Sequence, residues 1–178
     1  MKTNPTLLAG IKMHVAESDD FRFRNTQKMY RYWAEKRGER PRPRWRDITL
    51  MDIYDVAPCI CVRDVIPGEN DFVCRYWGTR LTDLYGIDCS GKKVSECYSP
   101  SGIRNTLGIY SRVISSERPV RLIGNLGYVD RSERTFFEGV FLRLDGDDAP
   151  DRHVIAALQI GCQLDADDLE NLEKPAAD

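Results

Sequence analysis

The sequence predicts an α+β fold: a five-stranded antiparallel sheet with helices on one face and an added N-terminal helical segment. Three observations lead there. Two short β-branched runs, CICVRDVI and DFVCRYWGT, flank the polar turn PGEND, which is the pattern of a hairpin over 59–66 and 71–78. A longer helical stretch at about 102–116 is closed by Pro119. Three more strand-like runs follow, VRLIGNLGYV, RTFFEGVFLRL and HVIAALQIGCQ, separated by the polar turns DRSE and DGDDAPD as in a meander.

Taken in chain order, each element has a local cause. Leu8, Ile11 and Val15 recur at helical spacing, so residues 5–16 are expected to form a short amphipathic helix with Pro5 in its first turn. Ser18, Asp19 and Asp20 then make an N-cap cluster for a helix that runs through FRFRNTQKMYRYWAEKR and stops at Gly38. Met29 and Trp33 are four apart on it and face the core, with Phe21 or Tyr30 extending the stripe. Residues 39–47 hold two prolines and no apolar period, so they read as an extended connector. The stretch ITLMDIYDVAP reads as a short helical turn ending near Pro58. After the hairpin, RLTDLYGIDCSGKKVSECY is broken into short helical turns by Gly86 and Gly91. Ser99 or Ser101 caps the long helix, whose Ile103, Leu107, Tyr110 and Ile114 share one side. The chain thus divides into an N-terminal extension (1–20), one domain (21–163) and an acidic tail (164–178) that frays beyond Leu172.

Composition bounds the function. In 178 residues, 42% apolar side chains suffice for a core, which excludes a wholly disordered chain. No apolar run is long enough for a membrane span or a secretory signal, so the expected location is cytoplasmic. The net charge of −2 is unevenly spread: 1–46 carries +7, 47–144 carries −1 and 145–178 carries −8. Six cysteines without a C-x-x-C, and two distant histidines, suit reduced thiols in a core better than disulfides or a zinc site. The basic stretch KRGERPRPRWR (36–46) has six basic residues; it is read as a connector with arginines packed on the domain, against a nucleic-acid, anion or membrane patch.

The order of elements resembles the PAS sensory fold, and three separated blocks sharpen the likeness to a bacterial family of short, stand-alone PAS-like proteins. The first has Tyr30, Tyr32, Trp33, Arg37, Gly38, Pro41 or Pro43, Arg44, Asp47 and Ile48. The second has Phe72, Arg75, Gly78 and Thr79, with Gly91 in a later tight turn, and the third has Phe137 and Glu138. The family often has proline where Leu50 and Arg143 stand here. Within these blocks, Gly78 is expected to let the strand turn into a helix that Thr79 caps. Arg75, if inward, needs a partner such as Glu138.

The resemblance implies a cavity between the long helix and the last strands. The ligand-binding candidates are Tyr110, Val113, Phe137, Phe141, Ile155 and Gln159, each weighed against simple core filling. No Gly-x-Asn-Cys-Arg segment is present for a covalent flavin, and 102–116 offers no histidine for a haem, so neither cofactor is expected. His153, at a strand start, reads as a surface residue. Without a nucleophile elbow, phosphate loop or His-x-x-x-His, no catalytic residue is assigned. The expected function is a sensory or adaptor protein without an output domain. It would bind a small molecule and signal through a homodimer or a partner protein docked on the N-terminal segment. An enzyme in the same cavity, or an anion or nucleic-acid binder through 36–46, are the alternatives.

Overall fold

Six strands form one antiparallel sheet in the order β1-β4-β5-β6-β2-β3. They are β1 (Leu8–Glu17), β2 (Ile60–Val65), β3 (Phe72–Trp77), β4 (Val120–Tyr128), β5 (Thr135–Leu144) and β6 (His153–Ile160). The helices are α1 (Arg24–Arg37), α2 (Thr79–Tyr85), α3 (Val94–Cys97), α4 (Pro100–Ser115) and α5 (Ala166–Glu173). This computed structural model describes residues 8–128 and 132–174. Part of the expected DRSE turn, the start of the expected N-terminal helix and the last four residues lie outside the described residues.

The hairpin and meander form where alternation and turn chemistry place them. The first element does not: β1 is an edge strand paired along β4, from Leu8 opposite Tyr128 to Glu17 opposite Val120. Ile11, Met13 and Val15 pack on the same apolar cluster, a period of two rather than a helical stripe. An isolated helix of this length is marginal, whereas an extended strand gains a full ladder on β4. Within the N-terminal extension, Leu8–Glu17 is therefore part of the sheet and not a free docking helix.

Both sheet faces are covered. One apolar cluster joins Cys61, Cys74, Phe137, Phe141, Val154, Ala156 and Leu158 to α2, α3 and α4. Their neighbours Ile60, Val62, Val140, Leu142, Ile155 and Ala157 point the other way, onto Met29, Tyr32 and Trp33 of α1. Helices on one face alone are thus corrected to two layers around a central sheet. The continuous apolar runs of β5 and β6 are what burial on both faces requires.

The cap of α1 comes from the sheet rather than from Ser18, Asp19 or Asp20. Its N-cap, Phe23, has no side-chain cap of its own. Instead the Glu138 carboxylate, fully buried on β5, accepts from the backbone N–H of Arg22 (3.2 Å) and Phe23 (3.3 Å) and from the Thr26 hydroxyl. Gln159 accepts from Asn25 N–H at 3.2 Å. Arg121 on β4 bridges Glu138 (2.7 Å) to Asp168 on α5 with two further 2.7 Å bonds. Arg22 also pairs with Asp165 and Asp168. Most of the described part of the acidic tail is therefore a docked helix, with Leu172 and Asp168 both buried. Hydrogen bonds from Arg121 hold the Asp168 carboxyl below the usual carboxylate range.

The basic head meets the acidic C-terminal third through specific pairs. Arg42 lies 2.9 Å from Asp145 and 3.2 Å from Asp151, and Arg46 lies 3.4 Å from Asp147. Lys12 reaches Glu173 at 3.0 Å, and Arg37 stacks over Trp33. Residues 36–46 pack on the domain, partly neutralised by these contacts.

Gly78 works by close approach rather than by unusual φ. A methyl there would overlap the Pro58 carbonyl oxygen and sit 2.7 Å from that of Ala57. Gly78 itself is the N-cap of α2, and Thr79 is the first helical residue, so the expected hydroxyl cap is not made. Ser99 does cap α4, accepting from Gly102 N–H.

Candidate functional site

Between the sheet and α2–α4 lies a cavity of about 360 Å³. Its floor is a strip across the sheet: Ile11 and Met13 of β1, Leu122 of β4, Phe137 and Phe141 of β5, Ala156 and Leu158 of β6, Cys61 and Arg63 of β2, and Trp77 of β3. Leu81, Tyr85, Ile87, Tyr98, Ile109 and Tyr110 form walls and roof. Exposed Ser99, Ser101 and Asn105 stand where it reaches the surface. The volume is near the lower end of the roughly 300–1,000 Å³ usual for small-molecule pockets.

Three of the six expected ligand-binding residues, Tyr110, Phe137 and Phe141, line this cavity. Val113 is buried in the same apolar cluster but behind the lining. Ile155 and Gln159 are on the opposite face: Ile155 belongs to the cluster under α1, and Gln159 binds the α1 N-terminus. Side chains alternate along β6, so Ala156 and Leu158 hold the cavity positions instead.

The residue that sequence reasoning missed is Arg63. It stands in the β-branched run of β2, on the same face as Cys61, and is 1% exposed. Its Nη2 donates to the Tyr98 hydroxyl at 2.9 Å, while Nε and Nη1 have no hydrogen-bond partner. Its guanidinium carbon lies 5.2 Å from the Tyr110 ring centre, 5.6 Å from Trp77 and 5.8 Å from Tyr98. These aromatic faces hold the cation in place of a carboxylate. Burial pushes the Tyr98 and Tyr110 phenols well above their ordinary values, and burial raises the Cys61 thiol as well. All three neighbours are thus neutral at neutral pH, and Cys61 and Tyr110 make their contact with each other, at 3.2 Å. Trp77 Nε1 is buried and likewise without a partner.

Arg75, which needed a partner such as Glu138 only if it faced inward, does not face inward. The β2–β3 register shifts between Val62 and Arg63, leaving Arg75 as the extra residue of a bulge, exposed to solvent. It reaches Asp64 at 2.7 Å and stacks over Trp45. His153 is not the expected surface histidine: it is 9% exposed, with Nδ1 2.7 Å from Asp64. Burial acts to raise the Asp64 carboxyl, but hydrogen bonds from His153 and Arg75 outweigh it and leave it lowered. This acid–imidazole pair does not line the cavity.

An antiparallel sheet with short helices and one longer helix closing a cavity over its floor defines an α+β domain with a cavity between its sheet and its helices. A family profile described as PAS domain matches residues 21–159, and the chain belongs to that family. Membership suggests a sensory or signalling role. No curated protein and no solved structure matches the chain significantly. Among the described residues no helix is long and apolar enough to cross a membrane, and no cluster of three or more potential ligands could hold a metal.

Proposed function

We propose that this chain is a sensory PAS domain that binds a small molecule in the cavity beneath α4 and passes the bound state on through protein contacts. Those contacts would be a homodimer or a separate regulator. The observation that carries the reading is the cavity itself, floored by apolar side chains from all six strands with one buried cation among them. In a well-packed core such space is rare, and a buried charge without a counter-ion is rarer. Binding rather than catalysis fits the groups present. Arginine keeps its proton at working pH and so serves as an anchor, not as a general acid or base. The Asp64–His153 pair, the arrangement that acid–base chemistry would use, is outside the cavity lining.

The test is native mass spectrometry of the gently purified protein, followed by thermal-shift measurements against a small-molecule library. A retained adduct, or compounds that raise Tm in the wild type and not in the cavity-filling variant Ala156→Leu, supports the reading. A bare mass together with no compound that separates the two proteins refutes it.

A further inference from the structure

The buried polar atoms lacking partners share one property. Among the described residues they are Arg37 Nε, Arg63 Nε, Arg63 Nη1 and Trp77 Nε1, and every one is a hydrogen-bond donor. All but the first belong to side chains of the cavity. A site whose unsatisfied groups are only donors, one of them on a permanent cation, calls for an acceptor with negative charge. We infer that the cavity takes a monocarboxylate with an apolar body, its carboxylate anchored on Arg63 beside the Trp77 indole N–H. This deepens the proposed ligand-binding function and rests on it.

The charge of the ligand follows from counting what surrounds the guanidinium. Arg63 is the cavity's single arginine, and no lysine, histidine or carboxylate shares its lining. One negative charge is neutralised there; a second, as on a phosphate or dicarboxylate, would be buried unpaired at a large cost. The planar guanidinium also matches a carboxylate better than a spherical anion. The body of the ligand follows from the remaining walls. Leu81, Ile109, Leu122, Phe137 and Leu158 offer it no hydrogen bond. The rings of Trp77, Tyr98 and Tyr110, with centres 5.6, 5.8 and 5.2 Å from the guanidinium carbon, hold the cation in place, while its Nε and Nη1 keep their donors for the ligand. Tyr98, half-buried at the mouth end and bonded to Nη2, is placed to contact both the anchor and an entering carboxylate.

The experiment compares octanoate and phenylacetate with their uncharged partners, octanamide and phenylacetamide, by calorimetric titration into the whole chain at pH 7. The expected result is a preference for each acid over its amide on the order of tenfold or more, the factor a charged hydrogen bond contributes. Arg63→Met should abolish that preference, while Arg63→Lys should keep part of it. Equal affinity for acids and amides in the wild type overturns the anion anchor and leaves the cavity reading standing. If neither acids nor amides bind at millimolar concentration, both fail. The wild-type comparison needs no variant, so it decides the question even where Arg63→Met does not fold.

Discussion

Replacing Glu138 by alanine tests how the two helical layers are tied to the sheet. The carboxylate is fully buried and serves two helices at once: it caps α1 through Arg22 N–H, Phe23 N–H and the Thr26 hydroxyl, and it orients Arg121 toward Asp168 on α5. Losing a helix cap costs about 1 kcal/mol. Removing one partner of a buried ion pair costs about 3–5 kcal/mol, because the remaining charge stays buried. Here Asp168 still pairs with Arg121, which limits the second contribution. Glu138→Ala should therefore destabilise by about 3–4 kcal/mol in all. With a urea m-value of about 1–3 kcal/mol per molar, the unfolding midpoint falls by at least about 1 M. Glu138→Gln keeps an acceptor for the α1 amides and should fall between the two. Equilibrium urea unfolding followed by far-UV circular dichroism measures this. A loss below about 1 kcal/mol for Glu138→Ala would refute the assigned role.

Three other outcomes follow from the same structure. Deleting 164–178 removes Asp168 and Leu172 and leaves Arg121 short of one carboxylate, so it should cost about 2–4 kcal/mol in thermal unfolding; a frayed tail would cost nothing. Gly78→Ala forces a methyl into the Ala57–Pro58 backbone and should destabilise by about 1–3 kcal/mol or more, seen as a lower urea midpoint. Asp64 and Asp168 have lowered folded-state values, so their stabilisation is present above the unfolded carboxylate value of about 3.9 and is lost as pH falls through the folded ones. Stability should hold near neutrality and drop below about pH 4, and Asp168→Asn should flatten that drop.

Much of the fold was legible because side-chain alternation and turn chemistry are local. The β2–β3 hairpin, the β4–β6 meander, Gly38 at the end of α1 and Ser99 at the start of α4 are all written within a few residues. The N-terminal segment was ambiguous: Leu8, Ile11 and Val15 fit a helix, while Ile11, Met13 and Val15 fit a strand, and only the free edge of β4 decides between them. The α1 cap was invisible because it lies more than a hundred residues away on β5. The continuous apolar runs of β5 and β6 were a readable signal of two covered faces. At the site, alternation identified which residues share a face but not which face meets α4, so Phe137 and Phe141 were placed in the cavity and Ile155 and Gln159 were misplaced. Arg63 went unnoticed because an arginine beside an aspartate in a strand reads as exposed. A cation at an alternate position in line with Cys61 was the available clue.

The central claim, a ligand cavity whose donors are Arg63 and Trp77, is tested most directly by the indole N–H resonances of the three tryptophans during an octanoate titration. Trp77 Nε1 is unpartnered at the cavity, whereas Trp33 Nε1 is already bonded to the Arg143 carbonyl on the other face. A saturable shift of the Trp77 resonance, with Trp33 unmoved and no comparable response to octanamide, is the result expected. A Trp77 resonance that stays in place while octanoate binds elsewhere, or that does not move at millimolar octanoate, contradicts the account.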